Sequence, residues 1–227
     1  MTDQNACELI IILDRSGSMA SVRRAMEEGF DGFIAAQQRV PGRCAVTLVQ
    51  FDTQATETVY EARPVHLVPR LHLEPRGGTP LLDAVASTIR SVGERLRGTA
   101  EVLRPGRVLV TIITDGHENS SRRVTLQQVR DMIQHQEAVY KWQFAYLGAN
   151  VDAFAEAGGM AIPLTAAAGF AQTAQGVSAM FDAHTTSTAA YRSGAAYAIS
   201  DEQRATMGGT ASKISAEQQN TAGDGGA

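Results

Sequence analysis

The chain has 227 residues, 44% of them hydrophobic and 19% charged, with a formal net charge of −4. This is enough apolar material for a proper core and argues against global disorder; a net negative chain with no basic stripe also argues against nucleic-acid binding. The longest apolar runs fall far short of a membrane span, and the polar start Met1-Thr2-Asp3-Gln4-Asn5 is unlike a signal peptide, so a cytoplasmic location is expected.

Leu9-Ile10-Ile11-Ile12-Leu13 is an unbroken, β-branched apolar run, which reads as a strand buried on both faces of a parallel sheet. It ends in Asp14-Arg15-Ser16-Gly17-Ser18-Met19, where a carboxylate and two hydroxyls alternate along one tight turn. One such residue between a strand and a helix is an ordinary N-cap. Three at alternate positions exceed what a cap needs, and an all-oxygen set suits a hard divalent cation, Mg²⁺ before Ca²⁺ or Mn²⁺.

Val22, Met26, Phe30, Phe33, Ile34 and Gln37 follow a helical period, and Pro41-Gly42 stops that helix. Ala45 to Phe51 is the second strand. Asp52-Thr53-Gln54-Ala55 is too short for a crossover helix, so Thr56 to Val65 should return antiparallel, at a sheet edge. Cys7 and Cys44 then lie at similar height on parallel neighbours, as two buried free thiols.

Gly77-Gly78-Thr79-Pro80 opens the next helix, with Thr79 as a plain N-cap when taken alone and Leu82, Val85, Ile89, Val92 and Leu96 inward. Val108 to Asp115 is the second fully buried strand. Thr125 and Gln128 form a capping box for a helix with Val129, Ile133 and Val139 inside. Trp142 to Leu147 is a further strand with Gly148-Ala149-Asn150 as its exit turn, Val151 to Ala157 a short helix, and Ile162-Pro163-Leu164 a last edge strand. Phe170, Ala174, Val177 and Phe181 mark one more helix, Ser200 to Gln203 caps a helical turn, and apolar residues then thin to Ile214 before a disordered Thr221 to Ala227. We therefore expect a core over 1–164, a docked C-terminal helix over 165–200 and a polar tail over 201–227.

This alternation specifies an α/β fold: a Rossmann-like, doubly wound, mostly parallel sheet with one antiparallel edge strand and helices on both faces. Such sheets bind ligands beyond the carboxyl ends of their strands, where the strand order reverses. If the two most buried strands are central neighbours, their exit turns bring Asp14, Ser16, Ser18 and Asp115 together, with Thr79 in reach.

Asp14-x-Ser16-x-Ser18, the distant Thr79 and Thr114-Asp115-Gly116 resemble the metal-ion-dependent adhesion site of the von Willebrand factor A family. The match runs from about Glu8 to about Asn150 and is closer to compact single-domain bacterial and phage members than to secreted adhesins. It implies a metal site of Asp14, Ser16, Ser18, Thr79 and Asp115 and a Mg²⁺-dependent protein-binding module. With the three hydroxyls bound directly and the two carboxylates acting through waters, the ion would stay electrophilic and accept an Asp or Glu of a partner. In the family, a change of ligation can also move the last helix.

Arg15 and Arg76 would be rim charges selecting an acidic partner, with His117 and Glu118 as solvated rim residues. A rival reading is a metal-dependent phosphohydrolase using Arg15, Arg76 and His117. Against it, the chain has no second carboxylate beside Asp14, no phosphate-cradling Gly-rich loop with a Lys and no dinucleotide fingerprint. A third reading is Mg²⁺-dependent self-association, with Asp182 or Glu217 of one copy entering the site of another.

Overall fold

The structure, a computed structural model, describes residues 1–149 and 152–209. The expectations for Asn150, Val151, Ile214, Glu217 and Thr221 to Ala227 lie outside the described residues. Six strands form one sheet: β1 (Asp3–Asp14), β2 (Arg43–Phe51), β3 (Thr56–Pro64), β4 (Pro105–Thr114), β5 (Gln143–Ala149) and β6 (Ala167–Phe170). Their order is β3-β2-β1-β4-β5-β6, parallel throughout except for β3 at the edge.

The apolar run of β1 explains its central place. Leu9 to Leu13 are each no more than 2% exposed, flanked by β2 on one side and β4 on the other. Burying one Ile or Leu is worth about 1.5–3 kcal/mol, so this run stabilises the sheet heavily. The helices are α1 (Arg23–Gln37), α2 (Leu81–Gly98), α3 (Leu126–Tyr140), α4 (Ala153–Gly159), α5 (Ala174–Arg192) and α6 (Asp201–Thr206). α1 packs with α5 and α2 with α3, so helices cover both faces. Gly29 of α1 permits the first pairing, because a Cβ there would fall 2.2 Å from the Phe181 ring.

The chain leaves β1 towards β2 and leaves β4 towards β5, so the winding reverses between β1 and β4. That places the crevice at their carboxyl ends, over Asp14 and Asp115. At the other end Cys7 pairs in register with Cys44, and both are buried free thiols.

Several local expectations shift. The last strand is β6, not Ile162-Pro163-Leu164: Pro163 has no N–H to give a ladder, and Leu164–Ala166 form a 3₁₀ turn instead. The sheet therefore runs past residue 164, and Phe170 ends a strand rather than joining the stripe of α5. Val139 is 55% exposed, because six residues beyond Ile133 is about 240° further round a helix. Finally, α2 begins at Leu81 with Pro80 as the cap residue, and Leu82 is only half-buried.

Candidate metal centre

Asp14 closes β1 and is fully buried, with each carboxylate oxygen taken by one donor. Oδ1 accepts the Ser16 backbone N–H at 2.6 Å, and Oδ2 accepts the Thr114 hydroxyl at 2.6 Å. The Ser16 and Ser18 hydroxyls lie 3.0 Å apart, and Ser18 donates to Asp115 Oδ1 at 2.7 Å. Thr79 reaches the same spot across Gly116: a Cβ at 116 would sit 3.3 Å from Thr79 Oγ1 and 3.9 Å from Ser18 Oγ. All five expected residues therefore converge from three segments.

None of the three hydroxyls is spent on capping. Ser16 stands at the N-cap of the Gly17–Ser21 3₁₀ turn, but no side-chain cap bond forms there. Thr79 precedes the cap residue of α2, whose first turn is satisfied from a distance. Glu118 accepts from Leu82 N–H at 2.9 Å, and Ser121 Oγ accepts from Asp83 N–H at 3.0 Å. Thr79 is itself held through its backbone, donating to Asn119 Oδ1 and accepting from Asn119 N–H.

The electrostatics are unbalanced. Burial pushes the Asp14 carboxyl up to about 6, against its hydrogen bonds from Thr114 and Ser16, and the nearby Asp115 adds to the rise. Burial also raises Asp115. Among the described residues neither carboxylate has a Lys, Arg or His ion-pair partner. Asp52, equally buried, is the contrast: burial opposes its charge, but bonds from Arg76, Gln54 N–H and Arg15 outweigh that and hold it below its ordinary range. Among the described residues no three His, Cys, Asp or Glu side chains cluster, so the centre has two anionic groups and three neutral hydroxyls. That donor set fits a hard divalent cation that keeps several waters.

No family model matches the chain, and no curated protein does either. Solved structures do. The chain is similar to proximal thread matrix protein 1 of the mussel byssus, at TM-score 0.55 and 11% identity over 81% of this chain and 46% of that one. It is similar to a von Willebrand factor type A protein of Catenulispora acidiphila, at TM-score 0.54 and 16% identity over 80% and 42%. It is also similar to the von Willebrand factor domain of the type V pili tip protein Mfa5 of Porphyromonas gingivalis, at TM-score 0.53 and 10% identity over 80% and 94%. The fold is that of a von Willebrand factor type A domain. The chain spans less than half the length of the mussel and Catenulispora proteins, and identities this low speak for the fold alone.

Within this von Willebrand factor A fold the expected rim is rearranged. Arg15 is only 5% exposed: its guanidinium is drawn inward to Asp52 at 2.6 Å and Glu57 at 2.9 Å on the β2–β3 side. Arg76 shares Asp52 at 2.9 Å. His117 is exposed and lies 3.1 Å from Glu156. Glu118 is half-buried, not solvated, because its carboxylate also accepts from Ser120 N–H, Ser121 N–H and the Ser121 hydroxyl. Arg122 and Arg123 are exposed and line, with Asn119 and Pro80, a polar groove of about 640 Å³ that includes neither Thr79 nor Asp115.

Two contributors had no assigned role in the sequence. Thr114 holds Asp14 by its hydroxyl, and it was visible in the Thr114-Asp115-Gly116 motif. Gln172 reaches Asp115 from just beyond β6. Its signal is positional, since residues following any parallel strand share the carboxyl edge of the sheet.

Proposed function

We propose that Asp14, Ser16, Ser18, Thr79 and Asp115 hold a divalent cation, Mg²⁺ or Mn²⁺ ahead of Ca²⁺, and that the protein is a non-enzymatic module binding a partner's Asp or Glu through it. The carrying observation is the convergence of two buried carboxylates, neither ion-paired among the described residues, with three hydroxyls not used as caps. The cation would supply an electrophilic position for a carboxylate, kept strong by neutral hydroxyl ligands. Arg122 and Arg123 would then favour acidic sequence around that residue, a charge match that speeds encounter and selects partners.

The hydrolase reading loses support from the same geometry, because Arg15, Arg76 and His117 are engaged with Asp52, Glu57 and Glu156. We also read the protein as cytoplasmic: Cys7 and Cys44 face each other in register as free thiols, a state that a reducing compartment maintains. Among the described residues no helix is long and apolar enough to cross a membrane.

The test is capture from native lysate on immobilised protein, in Mg²⁺ and in chelator, with wild type and Thr79→Ala. A partner retained only by wild type in Mg²⁺ is expected. Loss of the Thr79 ligand should weaken binding by about 2 kcal/mol or more, as hot-spot truncations do, while α2 keeps its cap from Glu118 and Ser121. Turnover of a phosphate ester that needs Mg²⁺, without any metal-dependent partner, would falsify the binding reading in favour of the hydrolase.

A further inference from the structure

Gln172 lies 154 residues from Ser18 in sequence and touches both halves of the candidate centre. Its side-chain amide donates to Asp115 Oδ2 at 2.5 Å and to the Ser18 carbonyl at 3.0 Å. Both partners only accept, so the amide must present its NH₂ group to them and not its oxygen. Asp115 Oδ1 is already taken by Ser18, so Gln172 covers the carboxylate's remaining oxygen.

The backbone that carries Gln172 is clamped on both sides. Ala171 N–H donates to the Met207 carbonyl at 2.8 Å, and Phe170 bridges Gly208. Immediately after Gln172, Thr173 caps α5 through Gly176 N–H, and a Cβ at 176 would fall 2.2 Å from the Ala171 carbonyl. A side chain delivered from so restricted a turn is presented to the site, not left to find it.

We propose that Gln172 is an in-chain cover for the metal centre, a positioning residue that an incoming carboxylate must displace. This rests on the metal-binding reading above. The NH₂ group suits Asp115 as an anion but offers a cation no lone pair, so metal loading turns the amide away from Asp115 or brings its carbonyl oxygen round. With its oxygen brought round the chain supplies its own competitor for the carboxylate, and the partner's affinity is set by how readily Gln172 leaves. An amide that simply turns away would compete for nothing and leave relaxivity and acetate midpoints unchanged in the variants.

The experiment uses the full chain with Mn²⁺ as the metal and acetate as the carboxylate, read by water-proton relaxation of the bound Mn²⁺. Side-chain amide NMR adds a second readout, the Gln172 pair being the one absent from Gln172→Ala. Gln172→Ala and the similarly long Gln172→Met should melt normally in chelator. Each should bind Mn²⁺ with higher relaxivity, and acetate should lower that relaxivity at a concentration roughly tenfold below the wild-type midpoint, as expected for one lost hydrogen-bonded competitor. Gln172→Glu, carrying a tethered carboxylate, should make the site insensitive to acetate. In wild type the Gln172 amide signals should shift on adding Mg²⁺. Equal relaxivity and equal acetate midpoints, with normal Mn²⁺ binding, overturn the cover alone. Failure of wild type to bind Mn²⁺ overturns the metal reading and the cover with it.

Discussion

Glu8 and Asp14 lie on the same strand, both fully buried, and differ in what neutralises them. At the amino end of β1, Glu8 accepts from the Thr47 hydroxyl at 2.8 Å and is ion-paired with Arg95 of α2. At the carboxyl end, Asp14 has two short hydrogen bonds and, among the described residues, no guanidinium or ammonium, and it lies near Asp115. The first arrangement is complete within the chain. The second lacks a positive charge, so the amino end of the sheet reads as structure and the carboxyl end as a site.

Removing the counter-charge at the amino end should have the largest effect. Arg95→Ala leaves Glu8 buried beside only a hydroxyl, and should cost about 3 kcal/mol in urea unfolding, the low end for a broken buried pair because Arg95 is partly exposed. The metal should act nearly as strongly at the other end. Mg²⁺ at about a hundred times its dissociation constant should stabilise by about 2.7 kcal/mol, and the Asp14→Ala, Asp115→Ala double variant should show no Mg²⁺ response in the same melts. A response that persists there would move the site elsewhere.

Without metal the sign at Asp14 reverses. Asp14→Asn removes a charge that burial and Asp115 both oppose, so the chelated protein should gain about 1–2 kcal/mol by denaturant titration. An equal loss would mean that Asp14 is as well satisfied as Glu8.

A third buried ionisable group, His184 of α5, is held neutral instead. It stacks on Phe33 with ring centres 4.6 Å apart, its Nδ1 lies 2.9 Å from the Tyr197 hydroxyl, and burial lowers its pKa to about 3. The unfolded chain takes up this proton first, near the ordinary 6.5, so His184 contributes its full stability above pH 6.5. That contribution is lost as pH falls from there towards 3, at up to about 1.4 kcal/mol per pH unit. His184→Gln should flatten the slope in chelator between pH 6 and 4. The smallest effect on stability belongs to the exposed cations: Arg122→Glu with Arg123→Glu should change unfolding by less than about 0.5 kcal/mol while weakening capture of an acidic partner.

The sheet and its reversal point were legible because β1 and β4 are continuous apolar runs ending in Asp, with helical periods between strands. Asp14, Ser16 and Ser18 stood out because alternate polar residues in one turn exceed what capping uses, whereas Thr79 alone reads as a cap and joined them, with Asp115, only through the strand ends and the family resemblance. Arg15 was misread because the sequence does not show that the β2–β3 turn folds Asp52 and Glu57 onto it. β6 was misplaced because Ala167-Ala168-Gly169-Phe170 has little intrinsic strand preference, and its pairing with β5 decides the matter. Gln172 had no chemical signature at all; only the three-dimensional sheet edge gives it a role.

The pairing of β1 with β4 also bears on the time course of folding. Leu9 meets Leu109 and Leu13 meets Ile113, so the central ladder closes a long loop, whereas β2 and β3 are joined by a short turn. Closing a long loop has an entropic cost that local pairing avoids, so the hairpin can form early and the central ladder late. Asp14 and Asp115 come together only with that ladder. If Asp14 and Asp115 meet only after the barrier is crossed, a cation held between them should slow unfolding and leave the refolding rate unchanged; if closing this ladder is the barrier, the cation should speed refolding instead.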